Sequence, residues 1–216
     1  MSDHHARSFP PLSAPDARIL ILGSMPGLAS LAAKEYYAHP RNAFWRLMGE
    51  LLGFPPQLDY PARAAALCRA RIAVWDVLYS CRRQGSLDSA IEDDTLVAND
   101  LAGFLAGHPA IRHVFFNGAK AESCFRRHIK LALPQREIAF TRLPSTSPAH
   151  AGRSFEQKLA AWRVVADAQH VVRSVAAHDL ELGRRATDGD HIGAQQLAEL
   201  HGGEPGAAGG AEHEQV

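Results

Sequence analysis

At 216 residues the chain is long enough for one domain with a substantial core and appendages. Its 23 basic and 23 acidic residues cancel, no apolar run approaches a membrane span, and the opening MSDHHARSFPPLSAPD lacks the apolar centre of a signal peptide. Three scattered cysteines (Cys68, Cys81, Cys124) and histidines without an HExxH pattern exclude a disulfide framework and a clustered metal site, so the expectation is a cytoplasmic protein with no metal, cofactor or membrane partner.

Residues 1–16, rich in Pro and His, are read as a flexible segment. Arg18–Leu22 is the first of four apolar, β-branched or aromatic runs with strand character; the others are Arg71–Val77, Arg112–Phe116 and Glu137–Thr141. Helical periodicity occurs near Ala43–Leu52, Pro61–Arg69, Thr95–Ala106, Ala119–Leu131 and Phe155–Ala168. Strands alternating with helices predict a parallel sheet with helices on both faces. With right-handed crossovers this is a three-layer α/β/α sandwich around a central, mostly parallel four-stranded sheet. The domain is expected over 17–172. An acidic Gly/Ala-rich tail over 173–216 has few large apolar side chains to offset the entropy of ordering and is expected to be disordered. Val171–Val216 carries three Arg against eight acidic residues, leaving 20 basic and 15 acidic residues in Met1–His170. That mildly basic body permits a phosphate-bearing partner without requiring one.

In an open parallel sheet, ligands bind beyond the carboxyl ends of the strands. The first strand runs into Gly23-Ser24-Met25-Pro26-Gly27, where two glycines and a proline allow a sharp turn and close approach to a ligand, although an ordinary βα turn has the same composition. Tyr36 and Tyr37 lie outside any apolar stripe. They read either as faces on which a planar base stacks, worth about 1–3 kcal/mol, or as core aromatics with a hydroxyl at the surface. His39, beside Pro40, either titrates in the site or fixes the loop. Asn42 precedes a helix, where Asn is a favoured N-cap. Its carboxamide has no useful pKa as a base, but it can hold a nucleophilic water and stabilise positive charge on a sugar.

Asp76, near the end of the second strand, is the rival catalytic group as base or electrostatic stabiliser, or else a structural partner of Arg82 or Arg83. Asn117 before Gly118 closes the third strand and reads first as a turn residue. The last strand leads into Leu143-Pro144-Ser145-Thr146-Ser147-Pro148-Ala149-His150, whose hydroxyls and N–H groups suit phosphate oxygens, or which is simply a rigid connection. Arg82, Arg83 and Arg153 are phosphate contacts or solvated surface charges.

GSMPG at 23–27, YYAHPRNAFW at 36–45, VWDVLYSCRRQGSLDSAI at 74–91, FFNGAKA at 115–121 and LPSTSPAH at 143–150 occur in this order over about residues 17–165. Together they resemble the uracil-DNA glycosylase superfamily, and within it the hypoxanthine (deoxyinosine) DNA glycosylase branch. The resemblance implies a monomeric α/β/α enzyme that acts on double-stranded DNA containing a deaminated base, with single-stranded DNA as an open alternative. It implies flipping of that base and hydrolysis of its N-glycosidic bond without metal or cofactor. The base pocket would comprise Gly23, Ser24, Met25, Pro26, Tyr36, Tyr37 and Asn117. His39, Ser145, Thr146, Ser147 and His150 would grip phosphates or wedge into the helix.

Mismatch-directed relatives use a GINPG loop whose Asn orients the water. GSMPG has no Asn, Ser24 is read in its place, and the role passes to Asn42 of the HPxN segment, with Asp76 as the second catalytic candidate. Uracil-directed enzymes begin their second motif with His-Pro-Ser. Here it is Leu143-Pro144-Ser145, so the histidine that helps the base depart is missing. The alternatives are a uracil- or mismatch-specific glycosylase and a non-catalytic nucleic-acid-binding α/β domain. A serine hydrolase is disfavoured because no GxSxG elbow is present.

Overall fold

In the computed structural model, which describes residues 5–55, 57–128 and 136–170, the chain begins β1 (His5–Arg7), β2 (Ile19–Gly23), α1 (Leu28–Ala33), α2 (Phe44–Leu52) and α3 (Tyr60–Arg69). It continues β3 (Ile72–Asp76), β4 (Leu78–Arg82), β5 (Val97–Ala98), α4 (Leu101–Gly107), β6 (His113–Asn117), α5 (Ala119–His128) and β7 (Ala139–Leu143). A helix over 155–170, α6, closes the described part. The chain's own contacts divide it after Val172. The tail expected over 173–216 and the end of the helix expected over Ala119–Leu131 lie outside the described residues.

Strands β3-β2-β6-β7 hydrogen-bond in that order, all parallel. Every residue of β2 and β3 is buried, as continuous apolar runs require when helices cover both faces of a sheet. Helix α2 turns Phe44, Leu47 and Met48 inward. Phe44 meets Trp162 of α6 edge-on at 6.1 Å, while Phe125 of α5 packs on Phe116 at 5.0 Å. Each such large side chain withdrawn from water stabilises the fold by about 1.5–3 kcal/mol.

Register places the strand ends. Gly23 lies opposite Asp76, Leu22 opposite Phe116, and Asn117 opposite Leu143. The four strands therefore stop nearly level, and the loops that leave them share one edge.

Several elements differ from expectation. The four-stranded sheet is wholly parallel, and a second, antiparallel sheet of order β1-β4-β5 stands beside it in the chain. The N-terminal segment is not loose from His5 onward: β1 pairs with β4, and Leu12 and Val74 exchange backbone hydrogen bonds of 2.9 and 2.8 Å. The Phe9 carbonyl accepts from Trp75 Nε1 at 3.0 Å. Backbone groups hold this segment, so its polar, Pro-rich side chains did not betray it. The helix expected from Thr95 begins only at Leu101, because Val97–Ala98 pairs with β4 and Asp100 caps the helix by accepting from Gly103 N at 2.8 Å. The last strand lies two residues later than Glu137–Thr141, and a short helix, α1, occupies part of what reads as loop.

Candidate active site

The level strand ends floor a cleft of about 480 Å³, within the usual range for small-ligand pockets. The fourteen residues assigned from the sequence to catalysis, the base pocket or the loop grip on DNA all line it, whereas Arg82, Arg83 and Arg153 do not. Their side chains do not all face it in the expected way.

Gly23 and Asp76 form the floor. A Cβ on Gly23 would overlap Asp76 Oδ1 and stand 3.2 Å from the Tyr37 hydroxyl, so only glycine fits. Asp76 is 3% exposed. Its Oδ2 accepts from Ser8 Oγ at 2.9 Å, and its backbone carbonyl accepts from Asn99 Nδ2 at 2.9 Å. It is in no ion pair with Arg82 or Arg83. Burial pushes its carboxyl from 3.8 up to about 7; Ser8 and Arg83 pull it down and Asp88 pushes it further up.

The GSMPG loop is clamped by residues 83–88. Ser24 Oγ donates to Asp88 Oδ1 at 2.7 Å, Leu28 N donates to Ser86 Oγ at 2.9 Å, and Arg83 Nη2 donates to the Pro26 carbonyl. Arg83 is 3% exposed, so it is not a surface phosphate contact. Its Nε and Nη1 have no hydrogen-bond partner among the described residues. Arg82 pairs at the surface with Glu92 at 3.9 Å. Aligned on the shared glycines and proline, Met25 rather than Ser24 occupies the place of the Asn in GINPG.

The two tyrosines diverge. Tyr36 is 4% exposed, its hydroxyl donates to the Pro10 carbonyl at 3.2 Å, and its ring meets Phe9 edge-on at 5.4 Å. It therefore braces the wall and offers no open face to a base. Tyr37 adopts a left-handed backbone (φ 56°) and stacks one ring face on Phe44 at 3.9 Å. Its hydroxyl is buried with no hydrogen-bond partner among the described residues, and burial, with Asp76 nearby, holds its pKa above the ordinary value.

Asn42 is half-buried on the cleft wall. Its Oδ1 accepts from Phe44 N at 3.0 Å, bracing the turn before α2, whose N-cap is Ala43 and not Asn42, and Ala43 N donates to the Thr146 carbonyl at 3.0 Å, joining the two loops. One carbonyl lone pair and the Nδ2 hydrogens remain for a water. His39 Nδ1 accepts from Arg41 N at 3.1 Å, fixing the turn between the tyrosines and Asn42.

Asn117 and Thr146 face each other instead of the substrate. Asn117 Nδ2 donates to Thr146 Oγ1 at 2.9 Å, and Thr146 N donates to Asn117 Oδ1 at 2.8 Å. Thr146 is 1% exposed, so its side chain is a staple and not a phosphate contact. Ser145 and Ser147 accept from Ser147 N and Ala149 N, each at 3.2 Å, which leaves their O–H groups to donate outward. His150 is exposed at the tip, next to a flanking cleft lined by Arg142 and Arg153.

Sequence reasoning missed Ser8, Ser86, Asp88 and Lys120. Ser86 and Asp88 lie within the 74–91 motif and Lys120 within FFNGAKA, but Ser8 carries no local signal. No group of His, Cys, Asp and Glu among the described residues could hold a metal ion. None of the helices among those residues is long and apolar enough to cross a membrane.

A parallel sheet whose strand ends floor a cleft of about 480 Å³, rimmed by two polar loops, defines an α/β protein with a candidate ligand site at its carboxyl edge. The family model of the Uracil DNA glycosylase superfamily matches residues 10–168, and the chain belongs to that superfamily. Two proteins named hypoxanthine DNA glycosylase are similar over 116 residues, 53% of this chain and 72% of each relative. The one from Methanosarcina barkeri is 39% identical, and the one from Methanosarcina acetivorans is 40% identical. A solution NMR structure from Methanosarcina acetivorans, described as a candidate uracil DNA glycosylase, superposes with a TM-score of 0.61 at 32% identity, covering 74% of this chain and 97% of that one.

Proposed function

We propose that this chain is a monofunctional DNA glycosylase that releases hypoxanthine from deoxyinosine in duplex DNA, acting as a monomer in the cytoplasm. The observation that carries the reading is the Asn42 carboxamide on the wall of a cleft floored by Gly23 and Asp76. The names of the two relatives support hypoxanthine as the base.

Ser145 and Ser147 hold phosphates beside the lesion while the loop through His150 enters the helix. The nucleotide swings out at a cost of a few kcal/mol, smallest for a mispaired base. Tyr37 borders the flipped purine. Asn42 holds the water that attacks the anomeric carbon, and Asp76 is the second catalytic group. Lys120 lines the cleft, but its Nζ is tied to Asp93 at 2.8 Å instead of standing free as a Schiff-base nucleophile.

Incubation with a deoxyinosine duplex tests this directly: the expected products are free hypoxanthine and an intact strand that breaks only on alkaline treatment of the abasic site. Salt-sensitive binding with no base released favours the non-catalytic reading. The solved relative described as a candidate uracil enzyme makes uracil the second substrate to assay; faster uracil release would transfer the assignment to it.

A further inference from the structure

We propose that Asp76 is the acid that protonates the departing purine at N7, and that Ser8, from the N-terminal segment, is its positioning residue. The inference rests on the glycosylase reading above and assigns the step that reading leaves open. A purine that leaves as an anion is a poor leaving group. Leu143, at the start of the second loop, is a buried side chain with no proton to give. Asn117 and Thr146 are engaged with each other.

A buried carboxyl stands on the floor of the cleft. Asp76 Oδ2 is taken by the Ser8 hydroxyl at 2.9 Å. A neutral carboxyl therefore carries its proton on Oδ1, the oxygen that lies against Gly23 where the cleft opens. The glycine is what lets a purine approach that oxygen.

Burial, with Asp88, favours the neutral form of Asp76, and Ser8 and Arg83 oppose it. Arg83 comes from the β4 side, but turns toward the Pro26 carbonyl and makes no ion pair with it. Asp88, from the 83–88 clamp, repels a second negative charge, and Tyr36 and Tyr37, from the first loop, are neutral. Burial outweighs the Ser8 and Arg83 contributions, and the carboxyl titrates at about 7. Near neutral pH a large fraction of molecules therefore holds the proton ready to transfer.

In the bond-breaking step, the C1′–N9 bond parts with its electron pair on the purine, and the proton on Asp76 Oδ1 moves to N7. Hypoxanthine leaves as a neutral tautomer. The water held by Asn42 bonds to C1′ and releases a proton to solvent, and solvent reprotonates the Asp76 carboxylate. In the interval the Tyr37 hydroxyl, buried beside Gly23 with no hydrogen-bond partner among the described residues, is a neutral group on the same side of the floor.

The experiment is single-turnover base release against pH, using duplexes containing deoxyinosine and 7-deaza-deoxyinosine. On deoxyinosine, the wild-type rate should fall above pH about 7 as the carboxyl ionises. Asp76→Asn should lose about 10²-fold or more, together with that pH limb. Replacing N7 should lower the wild-type rate to a similar extent and leave Asp76→Asn little changed, because both alterations remove the same proton transfer. Ser8→Ala should move the limb to higher pH, since the donation it removes lowers the Asp76 pKa.

A rate that rises with pH through this region, or a 7-deaza substrate cleaved as fast as deoxyinosine by the wild type, overturns the proposal without use of any variant. Hypoxanthine release with either result leaves the glycosylase reading standing and removes only the acid. No release from deoxyinosine removes both.

Discussion

The floor and the rim of the cleft are built on opposite principles. Gly23, Asp76 and the Tyr37 hydroxyl sit in the body of the protein, and each is fixed by the sheet or by close contact. Ser145, Ser147 and His150 sit on a loop whose bonds are short-range turns and whose tip is solvated. Bond breaking needs groups held still and dry, because a preorganised dipole or an uncharged acid is effective only where water does not screen it. Gripping a phosphodiester needs donors already in water, where the exchange of one partner for another is cheap. Changes to the floor should therefore act on the chemical step, and changes to the rim on DNA affinity.

Gly23→Ala should show the largest effect of this division. Its Cβ overlaps Asp76 Oδ1, and relief requires a shift of the carboxyl or of the β2–β3 edge. Stability should fall by about 1–3 kcal/mol, and single-turnover base release by far more than the affinity for DNA. Loss of affinity with an unchanged rate would erase the distinction.

Asn117→Ala comes next, because Asn117 lies where floor meets rim. It strands the buried Thr146 N–H and hydroxyl, at a cost of about 1–3 kcal/mol in denaturant unfolding, and frees the second loop. DNA binding should weaken more than the rate constant of bound substrate.

Asp76→Asn separates stability from activity. The folded chain binds this proton more tightly than the unfolded chain, so the carboxyl's contribution is fully present below pH 3.8 and is lost as pH rises to about 7. The variant should melt at a higher temperature than the wild type at pH ~8, with the difference shrinking toward pH ~4. A constant difference across that range would contradict the buried, proton-binding carboxyl.

The smallest effects belong to the rim. Ser147→Ala should weaken DNA binding by about 0.5–1.5 kcal/mol without changing its salt dependence, since no charge is removed. Arg153→Ala, exposed beside the tip, should lower the salt slope by about one unit if its guanidinium meets a phosphate.

The sequence made the sheet and its edge legible because continuous apolar runs such as Ile19–Leu22 are specified locally, and strand ends followed by glycine and polar residues announce loops. The residues it singled out for a site share one cleft, but it was silent on the direction of side chains. Tyr36 and Tyr37 are neighbours with similar chemistry, yet Tyr36 is turned into the core while Tyr37 is held over Gly23 by a left-handed backbone that no local pattern signals. Arg83 reads as a surface charge until the clamp around Pro26 buries it. Ser8 reaches Asp76 across 68 positions, from just past a three-residue strand too short to carry a periodic signal. Long-range pairing of short polar segments is decided by tertiary context, and those were the contacts that were missed.

The most direct test of the account is single-turnover release of hypoxanthine by Asn42→Ala, measured together with its affinity for the same duplex. Loss of the water-holding amide should lower the rate by about 10²–10³-fold while DNA binding stays close to wild type. A variant that binds normally and cleaves at the wild-type rate would show that Asn42 only braces the turn before α2, and the attacking water would have to be held elsewhere.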